Sequence, residues 1–253
     1  DRKKKELTPS NLFAVPGSNK SERSIVDAGA PLGMGATDLA GRLLTSIYGQ
    51  EALGPVFSTS YDVPKAGVLL ALPALLAVGL LTGVKRHFQL PRGYYWLEAI
   101  FLLLAFLALT RTRSMEQLRY CAPGEWGKLL GTDRCPEVRT MREKTGILAH
   151  NGDPQAWAGE LCRDWMTMTA PDCAGFFYID GHVRVYYGRQ TELPRHYVSR
   201  QRLCLRAAAD YWINAMDGQP FFVVNTAVDP GLLAVLENEI VPRLEQDVPN
   251  GQG

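Results

Sequence analysis

The sequence predicts an α+β fold, with a helical amino-terminal region followed by a β-rich carboxy-terminal one. Three features predict it. At 253 residues, 46% apolar and 21% charged, the chain can bury the core of one large domain or two smaller ones. In "PQAWAGELCRDWMTM" (154–168), Trp157, Leu161, Trp165 and Met168 recur at helical spacing. After residue 170 the period changes: Val183, Val185 and Tyr187 alternate, and "MDGQP" supplies an Asp-Gly turn between two strand-like runs.

The elements follow in order. Residues 1–59 read as a flexible basic arm and linker, mixing Lys, Arg, Pro, Gly and Ser with few large apolar residues and no signal-peptide run. Within them "GAPLGMGATDLAGRLL" leads from glycines into an apolar helix, and lacks the GK[ST] ending of a phosphate loop. Residues 60–170 form the helical region. "GVLLALPALLAVGLLTGV" (67–84) runs eighteen residues without a charge, and "YYWLEAIFLLLAFLALT" (94–110) is interrupted only by Glu98. By length they fit a two-helix membrane hairpin, whereas Pro73, Glu98 and the Ala/Gly content fit packed helices of a soluble bundle.

Residues 114–148 carry the punctuation of short helices. Pro123 and Gly124 open one, Gly131 closes it, and Pro136 introduces the next. Val138, Met141 and Thr145 share one side of that second helix, leaving Arg139, Arg142 and Lys144 largely elsewhere. The result is a helix-turn-helix-like pattern with a basic second helix, so these three cations are candidate DNA contacts. Residues 171–253 read as three strands, 175–188, 203–215 and 221–228, then a helix begun by Asp229 and Pro230. That helix should bury Leu232, Leu233, Leu236, Ile240 and Leu244, expose Glu237, Glu239 and Glu245, and kink or end at Pro242.

Net charge is +1, but its distribution is uneven. Between residues 184 and 206 stand six arginines against one acid, Glu192, and guanidinium forks suit phosphate better than ammonium does. The five cysteines (121, 135, 162, 173, 204) show no CxxC and the four histidines no HxxxH, which supports neither a zinc site nor a disulfide framework and fits a reducing compartment. Asp180 follows four apolar residues in "GFFYID". An unpaired carboxylate in a core costs several kcal/mol. Either a metal or phosphate stands nearby, or the strand has reached the surface.

The stretches "YIDGHVRVYYGRQTELPRHYVSRQRLCLRAAADYWINAMDGQPFFVV" and "VDPGLLAVLENEIVPRL" resemble bacterial insertion-sequence transposases of the DDE type, with a ribonuclease-H-like core. The resemblance extends back through "IFLLLAFLALTRTRSMEQLRYCAPGEWGKLLGTDRCPEVRTMREK" and more loosely to "VPKAGVLLALPALLAVGLL", covering about residues 60–249. It implies that Asp180 is the first catalytic carboxylate, a buried ligand midway along the first core strand, shared by two Mg²⁺ (or Mn²⁺) ions about 4 Å apart. Residues 171–253 would then be the first part, β-β-β-α, of that fold. It further implies that Arg189, Arg195, Arg200 and Arg202 track DNA phosphates. Asp210, Asp217 and Asp229 are expected as strand, turn and cap residues, and the apolar segments as helices without a membrane.

The family's second aspartate and its glutamate follow the "VDPGLL…IVPRL" helix and are not found before Gly253. The chain is therefore expected to act as an amino-terminal portion, inactive alone, with Mg²⁺ bound only in a completed site. The implied partners are transposon-end DNA and further copies of the chain, in the bacterial cytoplasm. Two alternatives stand beside this reading: a non-catalytic DNA-binding remnant and a small two-helix membrane protein.

Overall fold

Proline and glycine decide where the apolar runs of this chain break. A computed structural model of the chain describes residues 38–48, 55–57, 59–168, 176–188, 191–227 and 231–247. By packing, the chain divides into two units, one of residues 1–72 and 90–147, the other of 73–89 and 148–253. The eighteen-residue apolar run is not one helix. Ala66–Ala71 is a 3-10 turn, Leu72–Ala77 (α2) one short helix and Val84–His87 (α3) another, with Gly79 (φ 88°) and Gly83 (φ 68°) in the left-handed region between them. Leu97–Leu109 (α4) spans thirteen residues. Among the described residues no helix is long and apolar enough to cross a membrane, so the two-helix hairpin is not supported.

In the first unit α4 is apolar almost all round and buries Leu97, Ala99, Ile100, Phe101, Leu103, Phe106 and Leu107. Pro123–Leu130 (α5) starts on its proline and stops at Gly131, which takes φ 68° as the residue after a helix commonly does. Val138–Asn151 (α6) buries Val138 and Met141. Leu39–Tyr48 (α1) leaves Leu39, Leu43 and Ile47 exposed and is fixed by one polar clamp. Arg42 forks onto Asp133, with Nε–Oδ2 2.9 Å and Nη2–Oδ1 2.7 Å, donates to the Tyr95 hydroxyl at 3.0 Å and lies 3.9 Å above the Tyr94 ring. The Asp38 backbone N–H donates to the same carboxylate at 2.8 Å, while the Asp38 side chain caps α1 through the Gly41 N–H. Burial opposes ionisation of Asp133, but the Arg42 and Asp38 hydrogen bonds outweigh it and hold its pKa below the ordinary value.

The second unit is a helix-backed antiparallel sheet. Its strands are β1 (Phe177–Val185), β2 (Arg195–Val198), β3 (Leu203–Ala215) and β4 (Pro220–Thr226). β3 is the spine. Along one side it pairs with β1, from Phe177↔Ala215 to Val185↔Ala207, and along the other first with β2 and then with β4. Among the described residues the outer edge of β1 is unpaired. The short β2 lies inside the arginine-rich stretch, which the sequence pattern alone presents as a plain connection.

One face of this sheet makes the core. Ala209, Tyr211, Ile213 and Ala215 of β3 and Phe222 and Val224 of β4 are buried with Cys162 and Met166 of Pro154–Met168 (α7) and Val235 and Ile240 of the last helix. Each fully buried Ile or Phe contributes about 1.5–3 kcal/mol. A bulge between Ile213 and Asn214 breaks the alternation, so Phe221 and Phe222 both turn inward and Phe221 meets Phe177 edge-on at 5.7 Å. Gly181 faces Tyr211, whose ring would lie 3.3 Å from an added Cβ. On its other side α7 donates its Trp157 and Trp165 indole N–H groups to the Thr82 and Val78 carbonyls, both at 2.8 Å. Met168, expected on the same buried stripe, is exposed.

The last helix (α8) is composite: Leu232–Val235, a π-turn at Leu236–Ile240, and Val241–Asp247. Pro242 does not end it. The wide turn just before the proline accommodates its missing N–H and its bulk. Leu236, Ile240 and Leu244 pack inward as expected, whereas Leu232 and Leu233, expected to be buried, are exposed. Asp229 and Pro230 lie outside the described residues.

Candidate nucleic-acid interface on the exposed sheet face

Strand alternation puts every second residue of β1 and β3 on the face opposite the core. On β1 these are Tyr178, Asp180, His182 and Arg184; on β3 they are Arg206, Ala208, Asp210, Trp212 and Asn214. The register sets Asp180 opposite Trp212 and His182 opposite Asp210, while on the β2 side Arg195 stands opposite Arg206 and Tyr197 opposite Cys204. The face thus runs from a carboxylate end to an arginine end along a single strand. Six residues separate Arg206 from Trp212 on β3, about 20 Å at the usual strand rise.

The two aspartates on this face differ. Asp180 sits midway along β1, as expected, but it is exposed; the four preceding apolar residues do not carry the strand into a core. Phe177 and Ile179 turn inward, and Tyr178 and Asp180 turn out. Of the two, the buried carboxylate is Asp210, only 7% exposed, which accepts from Arg184 Nη2 at 3.2 Å and from the Asn225 amide. Arg184 spans the strand pair and Asn225 reaches across from β4, directly opposite in register. Charged hydrogen bonds offset the cost of burying that carboxylate. Asp180 is left without such duties.

Of the basic residues marked by sequence, Arg195 lies on β2, and Arg200 and Arg202 lie in the turn to β3; all three are exposed. Arg202 takes φ 53°, so the turn presents it in the left-handed conformation. Arg189 lies outside the described residues. In the first unit, Arg139 of α6 is exposed, whereas Arg142 binds Glu116 through Nε at 2.7 Å and Nη2 at 2.5 Å. Lys144 is half-buried, and that burial lowers its pKa. The helix pair at 123–151 exists as expected, but one of its three marked cations is already committed to a carboxylate.

Asp217 makes the turn, accepting from the Gln219 N–H at 3.0 Å. Sequence reasoning misses Trp212 and Arg206, and does not reveal Asp210 as the buried acid. The signal is present in the even-numbered positions of 203–215, but it becomes readable only once the register with β1 is known.

A groove of about 610 Å³ lies on the helical side of this unit, between α7, α8 and the edge of β4. Its cations are engaged: Arg163 and Arg243 share Asp247 at 2.6 and 3.5 Å, and Arg243 lies 4.2 Å above the Phe222 ring. Asp180 is not among its lining residues.

No group of three His, Cys, Asp or Glu side chains able to hold a metal ion occurs among the described residues. Asp180 offers one free carboxylate and His182 a neighbouring nitrogen ligand, while Asp210 is held by Arg184 and Asn225. These residues alone do not make a Mg²⁺ site, and no reaction step can be assigned through one.

No curated protein and no solved structure matches the chain. The family model Transposase_29, described as "Transposase protein", matches residues 33–253, which includes both units from α1 through α8. The chain belongs to this transposase family.

Proposed function

We propose that this chain acts in DNA transposition as the amino-terminal portion of a DDE-type transposase with a ribonuclease-H-like core, of bacterial insertion-sequence origin and cytoplasmic. Asp180 supplies the first of the carboxylates for Mg²⁺- or Mn²⁺-dependent strand cleavage and transfer. The observation that carries this reading is the order and pairing of β1, β3, β4 and α8: three antiparallel strands, then a helix, with β1 at an edge unpaired among the described residues and Asp180 exposed at its centre. A following strand could add to that edge and bring further carboxylates beside Asp180. When bound there, the metal ions would activate the attacking oxygen and stabilise the leaving one. The chain's own share is to present Asp180 from a rigid strand and to hold DNA.

In this reading, phosphates lie along the arginine end of the same face and turn, on Arg195, Arg200 and Arg202, with Arg189 in the adjoining connection. The helix pair adds Arg139, Arg142 and Lys144, of which Arg142 would have to exchange Glu116 for phosphate. Transposon-end DNA is the partner, and the active form is an assembly of several copies.

The test is divalent-metal-dependent nicking of transposon-end DNA by residues 1–253, with the following gene segment supplied as a second chain. Wild type should nick only with both chains and metal present, and Asp180→Asn should abolish nicking while leaving DNA binding intact. Equal nicking by wild type and Asp180→Asn would refute the assignment. A second reading is a DNA-binding remnant without cleavage, in which the exposed arginines of β2 and its turn bind phosphate and Asp180 holds no metal. Binding that persists without nicking after the second chain is supplied would select it.

A further inference from the structure

Two aromatic rings flank Asp180 on the exposed sheet face. Trp212 stands directly opposite Asp180 and is 41% exposed; Tyr178 precedes Asp180 by one position on that face and is 60% exposed. The two rings are diagonal neighbours across β1 and β3, a relation with Cβ atoms about 7–8 Å apart, within reach of large aromatic side chains. Val223 of β4 stands opposite Trp212, and the other neighbours on the face are mostly polar: Asp180, His182, Arg184, Asn214 and Asn225.

We propose that Tyr178 and Trp212 form a stacking platform for an unpaired nucleobase at a DNA end, seated beside Asp180. The inference rests on the transposase reading above and deepens it by naming the form of DNA that the site takes. The rings offer flat π-surfaces, which suit any base. Inside a duplex both faces of each base are covered by its neighbours and a blunt terminal pair offers only one face, so a nucleotide that has left the stack engages the platform best.

Charge supports the same occupant. The paired Arg195 and Arg206 stand about 20 Å along β3 from Trp212, which is about six nucleotides of duplex rise. Duplex phosphates on the arginine end and a frayed terminal base on the aromatic end fill one continuous face. Arg184 is tied to Asp210, which keeps that buried carboxylate from repelling the strand between them.

The test compares, without divalent metal, binding of a blunt duplex and of the same duplex carrying a short adenine overhang. Wild type should prefer the overhang by about tenfold, as one stacked base implies. The overhang should also quench tryptophan fluorescence in wild type but not in Trp212→Phe, which retains a ring and most of the preference. Trp212→Leu and, independently, Tyr178→Leu should bring the ratio of the two affinities close to one. An unchanged ratio in either leucine variant, or no preference in wild type, overturns the platform. Nicking with Asp180→Asn would still decide the transposase reading by itself. If wild type binds neither duplex, the DNA-binding reading fails and the platform with it.

Discussion

Replacing Asp210 with alanine should destabilise the sheet unit severely, whereas replacing Asp180 with asparagine should hardly affect stability, although both aspartates lie on one face. Asp210 is 7% exposed and accepts charged hydrogen bonds from Asn225 and Arg184. A hydrogen bond to a charged group is worth about 1.5–3 kcal/mol. The Arg184 side chain is 62% exposed, so solvent screening limits its share to about 1 kcal/mol or less. Truncation also leaves the Asn225 amide without its acceptor, and the expected loss is about 2–4 kcal/mol. Asp180 is exposed, and a surface substitution there should stay within about 0.5 kcal/mol. Urea unfolding followed by circular dichroism reads both. With a slope of about 2 kcal/mol/M, Asp210→Ala should lower the midpoint by roughly 1–2 M and Asp180→Asn by little. The double variant with Asn225→Ala should lose less than the two single losses together, because the pair is coupled. A destabilisation above about 1 kcal/mol in Asp180→Asn, or below that in Asp210→Ala, would refute the division between a structural and a functional carboxylate.

Further expectations concern both units. Because the folded-state pKa of Asp133 lies below its ordinary 3.8, its clamp on Arg42 is fully stabilising above that value and is lost as pH falls through the lower folded-state one. The stability advantage of wild type over Asp133→Asn should therefore shrink on acidification below about pH 3.8, read by urea unfolding at each pH. Burial pushes the Cys135 and Cys162 thiols up to about 12, so a thiol reagent should label exposed Cys204 in the native protein and reach those two only after unfolding. The combined change of Arg195, Arg200 and Arg202 to alanine should flatten the dependence of log binding constant on log salt by about 0.9 for each phosphate no longer neutralised. An unchanged slope would remove these arginines from the DNA track.

Much of the architecture is legible in the sequence because local rules set it. Pro123 and Gly131 bound α5 where a missing N–H and a left-handed φ are wanted, and the Asp-Gly turn separates β3 from β4. Other features depend on partners distant in sequence. β2 has four residues, two of them basic, and becomes a strand only by pairing with Leu203–Arg206. The inward turn of both Phe221 and Phe222 requires the bulge, and the exposure of Leu232 and Leu233 in the first turn of α8 is not marked in the local pattern. Asp180 stands in mid-strand, as the sequence suggests. Its exposure is one of the two readings the residues leave open, because four apolar residues in a row look like a core strand although Tyr178 belongs to the outer face. The buried acid, Asp210, is hidden behind three alanines and can be identified only from the residues across from it, His182 and Asn225.

In the proposed function the sheet unit holds DNA on the face carrying Asp180 and not on its α7/α8 side. A photo-cross-linking residue placed at Tyr197, at Tyr178, or at the exposed Leu233 of α8 tests it directly, with transposon-end DNA as target. Adducts are expected from positions 197 and 178 and none from 233. Cross-linking from 233 with none from the two tyrosine positions would contradict the claim.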